Sequence, residues 1–305
     1  MAAFSSKHSF DGLSSIQLDG YLDRIGLKLS LPAPVTLETL NQVMFHHANT
    51  IPFELSKLLF THQPGPVNVN DSYDELVIGR RGGYCFANNI LIFAALKSLG
   101  FNVSAGAARV AQWSKTAQEF DLSPPQHMLM FVDIDQRRYL VDMGNHRYSQ
   151  AIELKDGSTL HGAAADETFQ IRMSSLLAPN NWIIWFKRAP WAPLPEGCDE
   201  GGFIPIYHFG TELWRPRDFD AMNIFVFNAR NTVFPSFIAS NVTKSFGRTA
   251  MTDMTFRRRE GANNRHLESV INITNVDMLV EIMDREYGIR LTEEEKEGAR
   301  MLYFS

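Results

Sequence analysis

Arg80-Arg81-Gly82-Gly83-Tyr84-Cys85-Phe86-Ala87-Asn88-Asn89 is the stretch on which the fold turns. A diglycine breaks the chain. The apolar run over residues 84–99, with Gly100 as its stop, predicts a buried helix that starts at Cys85. At a helix start the backbone N–H groups lack intrahelical acceptors and the dipole presents its positive end, so a thiolate is favoured there. The position suits a nucleophile. The competing reading is a buried structural thiol, because free cysteine is among the most buried residue types.

Upstream of the diglycine, helical spacing covers residues 14–25, closed by Gly26, and residues 37–47, opened by Pro34 and Thr36, with a short piece at 74–78. From Phe101 the pattern changes to short β-rich runs at 103–112, 128–134, 139–143, 169–173 and 182–186. Residues 189–202, rich in Pro and Gly and containing Cys198, read as a loop. A helical patch at 218–228, a strand pair at 249–257 and 266–273, and helices at 275–287 and 292–302 complete the chain. The order predicts an α+β fold: a helical bundle over 1–100, a β-barrel or curled sheet over 101–215, and a small α/β unit over 216–305.

A turn at Asp135-Gln136-Arg137 folds two of the β-runs into a hairpin, which brings His127 close to Asp142, Met143 and Gly144 on the neighbouring strand. One hairpin thus supplies a base and its orienter. A Cys at a helix start with a His and an Asp on adjacent strands is the papain-type constellation, in which the Asp fixes the imidazole tautomer and the His pairs with the thiolate. Taken singly, His127 also reads as a polar residue at a strand end and Asp142 as a turn carboxylate.

With these residues in view the sequence resembles the arylamine N-acetyltransferases. Their R-G-G-x-C-x-E-x-N motif is similar to residues 81–89, except that Ala87 stands where the family has Glu. Thr50-Ile51-Pro52-Phe53-Glu54 resembles the family's I-P-F-E-N-L, Tyr21-Leu22-Asp23-Arg24-Ile25-Gly26 its Y-x-x-R-I-G, and Leu140-Val141-Asp142-Met143-Gly144 its V-D-x-G-F-G. Asn223-Ile224-Phe225-Val226 and Pro235-Ser236-Phe237 are similar to a further stretch in the last third. The segment 157–202 is insertion-like and has no counterpart in these motifs.

The resemblance implies a helical bundle, a β-barrel and an α/β lid around a papain-like Cys-His-Asp core. It implies that Cys85 accepts the acyl group, that His127 is the base and that Asp142 orients it. The reaction implied is ping-pong transfer of acetyl from acetyl-CoA, a co-substrate rather than a bound cofactor, to an arylamine or arylhydrazine. Phe53, Gly144, Asn145 and Arg147 are the candidate substrate or CoA contacts. Some family members found in fungi prefer malonyl-CoA, and residues 112–126, ahead of His127, would face the donor. Asn145 and His146 replace the family's Phe-Gly, which leaves acceptor preference open. Either Asn88 or water would take over the bracing role of the missing Glu, or the local network differs. A papain-like cysteine hydrolase uses the same three side chains, although its usual Gln before the nucleophile is absent from Arg-Gly-Gly-Tyr.

Composition narrows the partners. The chain has 305 residues, 45% hydrophobic and 21% charged, with a formal net charge of −5, which argues against affinity built on nucleic-acid phosphate. Arg257-Arg258-Arg259 is followed at once by Glu260 and reads as a solvated run. The longest apolar run, residues 90–96, falls well short of the roughly 18 residues of a membrane span. No secretory pattern is visible in residues 1–11, so the expected compartment is the cytoplasm, and the N-x-S/T triplets at Asn70, Asn102, Asn241 and Asn272 read as chance. Two cysteines, Cys85 and Cys198, provide neither a disulfide framework nor a zinc site, and no metal is expected.

Overall fold

The computed structural model describes residues 10–144, 148–163, 167–188, 193–229, 237–243, 247–262 and 265–304. Helix α1, Ser15–Ile25, begins with a capping box between Ser14 and Gln17 and ends at Gly26, whose φ of 66° is the left-handed stop that glycine tolerates best. Helix α2, Leu37–Thr50, is capped by Thr36. A two-residue strand β1, Phe53–Glu54, and the short helices α3, Ser56–Phe60, and α4, Val69–Tyr73, follow. The piece expected at 74–78 is a π-helical turn continuing α4. Helix α5, Cys85–Ser98, starts where the diglycine predicts, and its residues from Cys85 to Leu96 are buried on every side.

The middle of the chain forms one antiparallel sheet. Its strands are β2, Asn102–Ser114, β3, Glu119–Ile134, β4, Arg137–Val141, β5, Ile152–Glu153, β6, Thr159–His161, β7, Thr168–Ser174, β8, Asn181–Lys187, and β9, Phe203–Phe209. Their order is β5-β4-β3-β2-β9-β8-β7-β6. Laid flat, eight strands at about 4.8 Å spacing span roughly 34 Å. The link 154–158 between the two edge strands reaches only about 20 Å, so the sheet curls into a nearly closed barrel.

Strand β3 begins earlier than the run at 128–134 predicts, because Pro124-Pro125 masks it. Pro125, which has no N–H to give, pairs with Arg109 at a register shift, and the Ser123 hydroxyl accepts the Val110 N–H at 2.9 Å instead. Beyond the shift β3 is buried on both faces. Met128, Met130 and Val132 pack with α5, whereas Leu129 and Phe131 fill the barrel with Phe169, Ile184 and Phe209. Each such side chain contributes roughly 1.5–3 kcal/mol when fully buried. The segment 157–202 supplies β6, β7 and β8 to the sheet. Strand β9 has no counterpart among the expected runs.

Helix α6, Pro216–Asn228, leads into a second sheet of order β1-β10-β11-β12-β13, with β10 at Phe237–Thr243, β11 at Gly247–Thr252, β12 at Thr255–Ala262 and β13 at Arg265–Asn272. The single strand expected at 249–257 is therefore a hairpin. Asp253 and Met254 turn it with φ of 48° and 52°, a conformation their side chains do not advertise. Helices α7, Val276–Tyr287, and α8, Glu293–Tyr303, follow. Among the described residues no helix is long and apolar enough to cross a membrane.

Candidate active site

The turn before Cys85 is held from below by β1. Gly83 N–H donates to Pro52 O and Glu54 N–H to Gly83 O, both at 3.2 Å, so Phe53 and Gly83 form a parallel bridge. A Cβ on Gly82 would lie 2.3 Å from Pro52 O, and the close approach needs glycine. Asn88 is tied in on both sides: its amide N–H₂ donates to Gly83 O, and its Oδ1 meets His47 Nε2 at 3.1 Å, with Tyr21 on His47 Nδ1 at 3.0 Å. Ala87 is buried against Gly83.

Arg81 is also fixed. Its guanidinium donates to Glu54 at 3.0 Å, to Ser56 Oγ at 2.8 Å and to Glu295 at 2.7 Å. Burial opposes its charge, but Glu54 and Glu295 outweigh burial and raise its pKa. Glu295, the third residue of α8, also closes a capping box with Thr292, and Arg81 and Thr292 hold its pKa below the ordinary value against burial.

Cys85, 3% exposed, opens α5. The β3–β4 hairpin brings His127 Nε2 to 2.8 Å from Asp142 Oδ2. That leaves the other ring nitrogen, Nδ1, free of Asp142. Asp142 is fully buried and also accepts from Gly144 N–H at 2.7 Å, Asn89 Nδ2 at 3.0 Å and the Tyr207 hydroxyl at 3.0 Å. Burial alone would lower the His127 pKa, but the carboxylate of Asp142 and then the sulfur of Cys85 raise it to about 10. Burial would raise the Asp142 pKa, and His127, Asn89 and Gly144 hold it below the ordinary carboxylate value instead.

Gly144 seals the group. A Cβ there would stand 2.6 Å from Cys85 Cβ and 2.9 Å from His127 Cε1. Cys85, His127 and Gly144 share with Phe53, Val110, Gln112 and Gln126 a cleft of about 100 Å³. The arrangement places a thiol, an oriented imidazole and an apolar wall in one place. Phe53 meets Phe237 edge to face at 5.4 Å. Asn145 and Arg147, expected as contacts, and Pro235 and Ser236 of the last-third motif lie outside the described residues.

Three polar residues behind the site carried no assigned role in the sequence. Asn89 donates to Met128 O at 2.7 Å and accepts from Met143 N–H at 2.7 Å, tying α5 to both strands. Its position one turn after Cys85, on the same helix face, was the available signal. Tyr207 and Tyr148, hydroxyl to hydroxyl at 3.0 Å, come from distant segments and left none. Cys198 is half-buried in the loop between β8 and β9. Among the described residues no group of three or more His, Cys, Asp or Glu side chains is placed to hold a metal ion.

A family model described as N-acetyltransferase matches residues 36–296. Arylamine N-acetyltransferase 1 of Mus musculus is 24% identical over 290 residues, covering 90% of this chain and 95% of its own. Among solved structures, the arylamine N-acetyltransferase of Nocardia farcinica superposes with a TM-score of 0.78 at 24% identity, over 97% of this chain and 96% of that one. That of Mycobacterium marinum in complex with CoA gives 0.75 at 23% identity, over 93% and 98%.

Proposed function

Since the chain belongs to the arylamine N-acetyltransferase family, an acyltransferase family whose co-substrate is acetyl-CoA, we propose that it acetylates arylamines or arylhydrazines through a thioester on Cys85. The observation that carries this reading is His127, bonded through Nε2 to a buried, fully hydrogen-bonded Asp142 and raised in pKa by both Asp142 and Cys85. An imidazolium beside a sulfur at a helix start favours the thiolate pair.

The thiolate of Cys85 attacks the acetyl carbonyl of acetyl-CoA, a carbon–sulfur bond forms to the enzyme, and the bond to CoA breaks. His127 gives its proton to the departing CoA thiolate. The neutral imidazole then takes a proton from the amine as its nitrogen attacks the acetyl-enzyme, and Cys85 leaves as thiolate. Exchange of one thioester for another is nearly balanced in energy. Arylamines fit because they are largely unprotonated at neutral pH and present an apolar ring to Phe53 and Val110. A reducing cytoplasm would keep the thiol free.

Acetyl is proposed as the donor because acetyl-CoA is the family's co-substrate, with malonyl the alternative that the experiment tests. A hydrolase would need water in the place of the amine. The deciding experiment weighs the intact protein after incubation with acetyl-CoA or malonyl-CoA without amine. A single acetyl adduct, absent in Cys85→Ala and discharged by an added arylamine, is the expected result. No adduct with either donor, together with peptide cleavage, overturns the reading.

A further inference from the structure

The wall of the Cys85 cleft holds a polar side chain that neither the thiol nor the imidazole uses. Gln126 precedes His127 on β3, and in a regular strand two such neighbours point to opposite faces. Here the register breaks: Ala108 pairs with His127 and Arg109 with Pro125, which leaves Gln126 without a partner on β2. An extra residue of this kind bends its strand and re-aims a side chain. Gln126 and His127 accordingly line the same cleft, with the Gln126 carbonyl oxygen 3.9 Å from Cys85 Sγ.

Gln126 is 4% exposed, yet its side-chain amide has no hydrogen-bond partner among the described residues. Nor are its amide atoms sealed from water. An amide in such a place is satisfied only through the cleft, so an occupant that displaces water must replace the bonds that water made. Across from it, alternation along β2 sends Val110 and Gln112 into the cleft and Ala111 to the other face of the strand, where it lines a separate chamber. Phe53 and Val110 form the apolar part of the wall, and the two glutamines form the polar part.

We propose that Gln126 makes the site selective for arylamines whose ring carries an uncharged group that both donates and accepts hydrogen bonds, a carboxamide being the simplest. Two primary amides pair head to head, each N–H₂ donating to the other's carbonyl. At about 100 Å³ the cleft is smaller than the cavity of about 150 Å³ that holds benzene. A ring whose amine reaches Cys85 therefore lies against Gln126. An apolar substituent would displace water there and leave the amide unpaired. A carboxylate accepts but cannot donate, which sets the Gln126 carbonyl against an anion. The selectivity in turnover rests on the acyl transfer proposed for Cys85, whereas recognition of the carboxamide does not.

The probes are 3-aminobenzamide and 3-isopropenylaniline, which keeps the planar shape of the carboxamide without its polar atoms. The meta position prevents the carboxamide from bonding to its own amine. The first readout is the ratio of their kcat/KM values, amide over alkene, in discharging the acetyl-enzyme. Gln126→Met is expected to lower that ratio about tenfold, the scale of one to two lost hydrogen bonds, and Gln126→Leu to lower it alike. The second readout is binding, titrated by NMR on Cys85→Ala, which has no thiol to acylate. Adding Gln126→Met is expected to weaken 3-aminobenzamide about tenfold and to leave 3-isopropenylaniline bound no less tightly. A ratio unchanged in both variants, or 3-aminobenzamide bound equally with and without Gln126, overturns the proposal. Absence of an acetyl adduct overturns the transferase reading alone, because the binding readout still reports on Gln126.

Discussion

The Glu295 carboxylate lies 2.7 Å from the Arg81 guanidinium, so the last helix of the chain grips the turn that delivers Cys85. Both side chains are largely buried, at 2% and 16% exposure, and Arg81 spans from Glu295 to Glu54 as a bridge. Replacing Glu295 with Gln leaves the guanidinium with one carboxylate. We predict a loss of about 1.5–3 kcal/mol, the range for hydrogen bonds to charged groups, seen as a lower urea midpoint at unchanged slope. Arg81→Lys is expected to lose as much, because a single ammonium cannot serve both carboxylates and Ser56 in the planar fork.

His127 supplies the pH dependence. Its folded pKa, about 10, is above the ordinary 6.5, so its contribution to stability is complete below 6.5 and is lost as pH rises through 10. Asp142 works in the opposite sense: held below 3.8, it contributes above that value and loses the contribution as pH falls. The stability gap between wild type and His127→Gln is therefore expected to be larger at pH 6 than at pH 10.5, measured by denaturant titration at both. NMR of the resting protein is expected to show the imidazole charged at pH 8.

Asp142→Asn removes the larger part of what opposes burial at His127, leaving only Cys85, and the ring pKa falls. Acetyl-enzyme formation is then expected to slow by roughly 10⁴-fold, the scale seen when a triad carboxylate is neutralised elsewhere, with the mass-resolved adduct as readout.

Tyr207→Phe deletes one donor to the Asp142 carboxylate and keeps the ring against His127. The loss of a stabilising bond raises the Asp142 pKa, so the acid limb of the acylation rate profile moves to higher pH. Stability falls by about 0.5–1.5 kcal/mol. An acid limb that stays where it is would show that Tyr207 only fills space.

Gly144→Ala places a methyl 2.6 Å from Cys85 Cβ and 2.8 Å from its Cα. Backbone on one side and imidazole on the other leave it nowhere to go. We expect a loss of about 1–3 kcal/mol from overpacking and no acetyl adduct, checked by melting and intact mass on the same sample.

Much of this was legible in the sequence because its signals are local. Gly82-Gly83 ahead of an apolar run marks the start of α5, and a short turn between β-runs sets His127 beside Asp142. What escaped is long-range or carried by residues with no special signature. Tyr207 reaches Asp142 from β9, a strand interrupted by Pro205 and lacking clean alternation. Asp253 and Met254 adopt positive φ without being glycine, so one expected strand is two. Pro124-Pro125 hides the first half of β3 because its register shift is settled by Ser123, a side chain no periodicity reveals.

The pairing of β1 with β10 has a consequence for how the protein is made. The strand that fixes the turn ahead of Cys85 takes its partner from residues 239 and 240, and Arg81 takes one of its carboxylates from residue 295. A ribosome releases Cys85 long before either is synthesised. A chain cut short before its final helix would therefore lose one of the two carboxylates that hold Arg81, and with it part of what fixes the turn ahead of Cys85.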